Sequence, residues 1–174
     1  MDGTTWKVST QDPNKAVTFN ENCAGMFVSP IYNDEDMSNK LLRLTKISFD
    51  NVDTSKTTTM ESMFVECLGL TSLDLSKFDT SNVANMRDMF EACVNLTSLN
   101  LSGFNTLKTK NMDYMFTEYQ NLSTIYVGEN WSTNNVTEGK RMFDECKNLP
   151  NYDSSITDVT KAHTGSDGYL TLKQ

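Results

Sequence analysis

Apolar positions in this chain follow two alternating rhythms, and the alternation itself repeats. Leu70, Leu73 and Leu75, then Leu96, Leu99 and Leu101, give an L-x-x-L-x-L spacing whose last two leucines point to one side of a strand. Phe78 and Phe104 close the two runs. Directly afterwards the spacing becomes helical, through Val83, Met86, Met89 or Phe90 and Cys93, and in the next unit through Met112, Met115 or Phe116 and Tyr119. Arg87, Asp88 and Glu91 fill the polar gaps, so the pattern predicts a short amphipathic helix with one buried stripe. Asn85, Thr59 and Asn111 each stand before the first methionine of that segment, where a short polar side chain caps free backbone amides; Asn82 competes for the role.

The two units are near-copies: LTSLDLSKFDTSNVANMRDMFEACVN from Leu70 to Asn95 runs without a gap into LTSLNLSGFNTLKTKNMDYMFTEYQN from Leu96 to Asn121. Met-Phe pairs at 63–64, 89–90, 115–116 and 142–143 extend the register to four units, with spacings of 26, 26 and 27 residues. That period is the range of leucine-rich solenoids, in which no single unit buries its apolar face and stacking is obligatory. The expected fold class is therefore α/β: a leucine-rich-repeat solenoid with a parallel sheet on the concave face, short helices on the convex face, and terminal caps. Residues 44–152 hold the four repeats, beginning with Leu44-Thr-Lys-Ile47-Ser-Phe49. In the fourth, Trp131 takes the phenylalanine slot after a one-residue insertion, and Gly139 stands where the others have Met.

Residues 1–43 form the expected N-terminal cap, with short strands at Trp6-Lys-Val and Ala16-Val-Thr-Phe19 and a degenerate helix half at Cys23-Ala-Gly-Met26-Phe27. Met26 and Met63 lie 37 residues apart, so this unit carries about 11 extra, placed in the polar loop around Asn33-Asp-Glu-Asp36. Residues 153–174 form the C-terminal cap: Tyr152 falls on a strand slot just before it, Ile156 to Ala162 suits a short turn of helix, and Asp167-Gly168 turns into a strand over Tyr169-Leu-Thr-Leu-Lys173, which pairs with the last repeat and blunts its edge.

Composition narrows the function classes. A net charge of −8 argues against duplex nucleic acid, which is gripped by Lys and Arg on phosphate. No apolar run of about 18 residues occurs, so membrane insertion is not expected. The start MDGTTWKVST lacks a charged leader and an apolar segment, as a mature or excised segment would. Four cysteines suggest disulfides until the repeat is considered. Cys67, Cys93 and Cys146 share one slot, filled by Tyr119 in the remaining unit. Equivalent positions on neighbouring helices lie about 8–10 Å apart, beyond the roughly 7 Å a disulfide spans, so these and Cys23 are expected as buried free thiols.

The string L-T-S-L-D-L-S-x-F-D-T-S-N-V-x-N-M-x-x-M-F-x-x-C-x-x-L, from Leu70 to Leu96, resembles the 26-residue repeat of bacterial leucine-rich surface proteins, the BspA-like family, and of mycoplasma lipoproteins with the same pattern. The resemblance spans residues 44–152 and the Cys23–Phe27 fragment, and the ending N-L-P-N-Y-D-S-S…G-Y-L-T-L-K looks like the close of such proteins from gut and oral bacteria. It implies a secreted or cell-surface protein, with signal and anchor outside this chain, in a family associated with adhesion.

Candidate chemistry lies between the inward leucines. Polar rows are expected at Ser48, Asp74, Asn100 and Tyr126; at Lys46, Ser72, Ser98 and Thr124; and at Asp50, Ser76, Ser102 and Gly128. The ligand-binding expectation rests on Ser72, Asp74, Ser98, Asn100, Thr124 and Tyr126, with Trp131 as a further stacking surface. The expected partner is a host or bacterial surface protein, or a glycan, bound by a monomer; an architectural spacer is a third reading. No enzyme is expected, because no nucleophile and orienting carboxylate are spaced around the lone His163. No cofactor or metal is expected either. Asp34-Glu35-Asp36 lacks the alternating ligands of a calcium loop, and the ten methionines occupy packing slots.

Overall fold

A computed structural model describes residues 5–10, 12, 14–27 and 44–173. Among them are eight short strands: β1 (Thr5–Val8), β2 (Val17–Thr18), β3 (Lys46–Phe49), β4 (Val52–Asp53), β5 (Ser72–Leu73), β6 (Ser98–Leu101), β7 (Thr124–Val127) and β8 (Thr171–Leu172). All the pairing is parallel, in three small sheets ordered β1-β3-β5, β2-β4 and β6-β7-β8. The inward leucine row is as the alternation predicts: Ile47, Leu73, Leu75, Leu99, Leu101, Ile125 and Val127 are all buried. The described residues contain no α-helix, and most lie in turns and irregular backbone. The α/β solenoid with a convex helical layer is therefore not what this chain forms. A concave strand face would need a wider helical layer behind it to curve the stack, so without helices that expectation loses its physical basis.

The reason is visible in the segments that carry helical spacing. The amides of Met60, Ser62, Phe64 and Glu66 do not bond within their own segment but donate to the carbonyls of Asn85, Arg87, Met89 and Glu91 in the next repeat, at 2.8–2.9 Å. The intervening amides of Met63, Val65 and Cys67 reach back three residues, to Met60, Ser62 and Phe64. Each segment is thus a chain of β-turns whose alternate bonds tie it to its neighbour, and a helix would need all of those donors for itself. The turns demand left-handed backbone at fixed places. Ser62, Asp88, Tyr114 and Arg141 have φ of 53°, 52°, 57° and 53°, and Glu66, Ala92, Glu118 and Glu145 follow at 56–65°. In the first unit the matching slot holds Gly25, φ 63°, the residue that takes this conformation without steric cost. Val83, Met86, Met89, Phe90 and Cys93 are nonetheless all buried, at separations of three and four residues that match the apolar period of a helix.

The polar residues before the first methionine do cap, but they cap turns. Asn85 and Asn111 accept through Oδ1 from the amides of Arg87 and Asp113, at 3.0 and 2.9 Å. Their backbones form parallel bridges along the row Asn22, Thr59, Asn85, Asn111 and Glu138. A second row is fully buried: Thr80 Oγ1 donates to the Asn105 carbonyl at 3.1 Å and accepts from the Asn105 amide at 2.8 Å. Thr54 does the same with Asp79, and Thr106 with Ser132. Each hydroxyl thus bridges the backbones of two successive repeats through one donated and one accepted bond.

The core is a file of phenylalanines. Phe27, Phe64, Phe90, Phe116 and Phe143 stack with centroids 5.3, 5.7, 5.9 and 5.5 Å apart, and Tyr169 closes the file edge-on at 5.3 Å. The Tyr169 hydroxyl shares its one proton between the carbonyls of Ile156 and Asp153, at 2.9 and 3.1 Å, and accepts from the Asp153 amide, which fastens the last repeat to the C-terminal segment. Gly139 serves the same closure. A Cβ there would lie 2.5 Å from Val159 Cβ, and its carbonyl accepts from the Val159 amide at 2.8 Å. Val159–Lys161 is a single 3-10 turn, Tyr152 lies outside any strand, and β8 pairs with β7 through Tyr126–Thr171 and Val127–Leu172. The loop around Asn33–Asp36 lies outside the described residues.

Candidate functional site

The outward face of the strands presents the expected polar rows in two blocks. In one, Ser98 lies beside Thr124 and Asn100 beside Tyr126, with Thr171 of β8 continuing the second row. In the other, Ser72 lies beside Lys46, and Ser48 beside Lys7. Parallel register forces this alignment: once the leucines of successive repeats face inward, the intervening side chains must face outward at matching heights. Ser72, Asp74, Ser98 and Asn100 are exposed, while Thr124 and Tyr126 are half-buried.

Two of these residues also serve their own backbone. Asp74 Oδ1 accepts from the Ser76 amide at 3.0 Å, and Asn100 Oδ1 from the Ser102 amide at 3.2 Å, so each ends its strand with a local turn. The Ser76 bonds, backened by Lys46 and Lys77, hold the Asp74 carboxyl below its ordinary value and keep it ionised. Asn100 retains both amide protons for a ligand, and Asp74 its second oxygen.

Trp131 is placed elsewhere. Its indole Nε1 donates to the Ala162 carbonyl at 3.1 Å, and the half-buried ring packs against the core instead of standing on the strand face beside Tyr126. It lines a cleft of about 550 Å³ between the last repeat and the C-terminal segment. Glu129, His163 and Leu172 share that cleft, and the spacing along the chain gave no sign of it, since its walls come from segments 127–134 and 162–172, which are distant in sequence. Gly128 was the one local signal: a Cβ at this position would lie 2.1 Å from the Ser102 carbonyl oxygen, so the chain can approach the preceding repeat only with glycine here. His163 is held by its own loop, where Nδ1 accepts from the Gly165 amide at 3.0 Å and Nε2 lies 3.8 Å from Asp167.

The four cysteines are free and buried. Three donate to phenylalanine carbonyls one repeat back: Cys67 to Phe27 and Cys93 to Phe64, both at 3.1 Å, and Cys146 to Phe116 at 2.6 Å. Burial pushes the Cys146 thiol up to about 12, and raises Cys23. Cys23 stands in the Met60 slot, since Asn22 pairs with Thr59, and so does not continue the thiol row. Where that row passes through Tyr119, the phenol is fully buried and its hydroxyl has no hydrogen-bond partner.

Among the described residues no three His, Cys, Asp or Glu side chains gather as a metal site, and no helix is long and apolar enough to cross a membrane. Compared with known sequences, the chain matches over residues 32–157 the model of a family described as "Mycoplasma protein of unknown function, DUF285". No curated protein and no solved structure matches it.

Proposed function

We propose a role for a chain that belongs to the DUF285 family, the Mycoplasma proteins of unknown function: it is a non-catalytic binding module of the bacterial surface or its secretions, which holds a protein of a host or neighbouring cell. The observation that carries the reading is the alignment of Ser98 with Thr124 and of Asn100 with Tyr126 on an outward face. Such a face offers hydroxyls, an amide and a phenol at the spacing of adjacent strands, about 4.8 Å, and the exposed Asp74 carboxylate follows the strand of the preceding repeat, which suits an extended segment contacted many times over. Tyr126 is the natural anchor, because a half-buried phenol adds contact area at small entropic cost.

The surface location and the adhesive role rest on the resemblance of the 26-residue repeat to that of BspA-like surface proteins. The non-catalytic reading draws on how the reactive groups are used. The thiols are buried donors inside the stack, and the one histidine is tied into its own loop. The test is a screen of the purified protein against extracellular-matrix proteins, followed by combined replacement of Asp74, Asn100 and Tyr126 with Ala. A saturable partner whose affinity falls at least tenfold in the triple variant supports the reading. A partner bound equally well by the variant refutes the strand face as its site.

A further inference from the structure

We propose that the cleft between the last repeat and the C-terminal segment is a second, separate site, and that it takes a neutral pyranose. Its volume of about 550 Å³ falls within the range of small-molecule sites. Trp131 supplies a fixed aromatic wall: the bond from Nε1 to the Ala162 carbonyl and packing against the core set the ring before any ligand arrives, so little freedom is lost on binding. Val127 and Leu172 extend the apolar side, and Leu172 is 50% exposed. A pyranose has the matching shape, with an apolar C–H face for the indole and a rim of hydroxyls.

The lining of the cleft also carries polar groups that the fold does not use. Among the described residues, the side chains of Glu129, Thr133, Asn134 and Thr164 make no hydrogen bond or ion pair. This sets Asn134 apart from the asparagines of the repeats. The amides of Asn82, Asn95, Asn121, Asn135 and Asn148 each donate to a carbonyl of the preceding repeat. A carboxylate, two hydroxyls and a free carboxamide supply both acceptors and donors, as vicinal sugar hydroxyls require. Glu129, in a chain of net charge −8, selects against acidic sugars.

The chain has two tryptophans, and Trp6 lies on β1, so Trp6→Phe leaves Trp131 as the only indole. In that background the methyl glycosides of glucose, galactose, mannose and N-acetylglucosamine are titrated against indole emission. The expected result is saturation by at least one of them, with half-saturation on the order of 1–10 mM. Glu129→Gln and the double variant Thr133→Ala with Asn134→Ala should each weaken it at least tenfold with circular dichroism unchanged, because these side chains hold nothing else. No saturable change with any of the four, or rim variants that bind as tightly as the parent, overturns the proposal. The Asp74, Asn100 and Tyr126 triple variant should keep full glycoside affinity. Its loss there would also overturn a separate site, whereas failure of the strand-face reading leaves this one standing.

Discussion

Replacing Thr80 with Val removes one atom that two backbone groups depend on. The two side chains have nearly the same volume, so no cavity opens at this fully buried position. What is lost is the hydroxyl that donates to the Asn105 carbonyl at 3.1 Å and accepts from the Asn105 amide at 2.8 Å. Two such bonds contribute about 1–3 kcal/mol together, and a stranded buried donor or acceptor adds to that cost. The extra methyl of valine returns under about 1 kcal/mol. We expect a net loss of about 2 kcal/mol in urea unfolding followed by far-ultraviolet circular dichroism, a large part of the total stability of an ordinary domain. Thr80→Ser is the control: it keeps the hydroxyl, gives up a methyl, and should cost about 1 kcal/mol. Amide exchange at Asn105 should accelerate in the valine variant alone. If Thr80→Val proved as stable as the parent, or lost less than Thr80→Ser, the view of this hydroxyl as a bridge between repeats would be wrong.

Three further outcomes follow from the same geometry. Glu118 is exposed with φ 65°, so Glu118→Gly should stabilise the protein by about 0.5–1 kcal/mol in the same urea assay, the relief of left-handed strain outweighing the looser unfolded chain. Glu91 has its pKa raised above 4.5, first by burial and then by the Asp88, Glu118 and Glu66 carboxylates. Its ionised form is therefore penalised in the folded state, the penalty is complete above the folded pKa, and it vanishes below 4.5. Glu91→Gln should raise stability at neutral pH and lose that advantage as the pH falls through 4.5; an advantage that grew on acidification would refute the assignment. The four thiols should resist an aromatic disulfide reagent in buffer and all react in guanidinium, because each is buried out of the reagent's reach in the folded chain.

The chain spells out much of its own stacking and little of its backbone. The leucine alternation placed Leu99 and Leu101 inward, and the Met-Phe register put Phe64, Phe90, Phe116 and Phe143 in one file, because burial leaves a direct mark on composition. The same mark misread Val83 to Cys93 as a helix. Spacing records which side chains are buried, and consecutive turns bury the same ones. The clue to left-handed backbone was a single glycine, Gly25, shifted out of register by the long insertion that follows it. Thr80 stands inside the repeat string in the sequence, but its bridging role is a contact with the next repeat, which no single repeat encodes. The outward rows followed from register alone. The cleft did not, because it forms where the irregular loop after Val127 meets a segment with no counterpart in the repeats.

The glycine at position 139 acts as a terminator. The three preceding repeats offer a methionine at that position, Met60, Met86 and Met112, whereas here the space is vacated and Val159 comes back to occupy it. Growth of such an array by tandem duplication is therefore one-sided. New copies can be spliced in ahead of this point in whole multiples of the period without disturbing any contact described above, but none can be added behind it. Repeat number is in this sense independent of the closing segment, whose contacts with the last repeat stay the same however many units precede it.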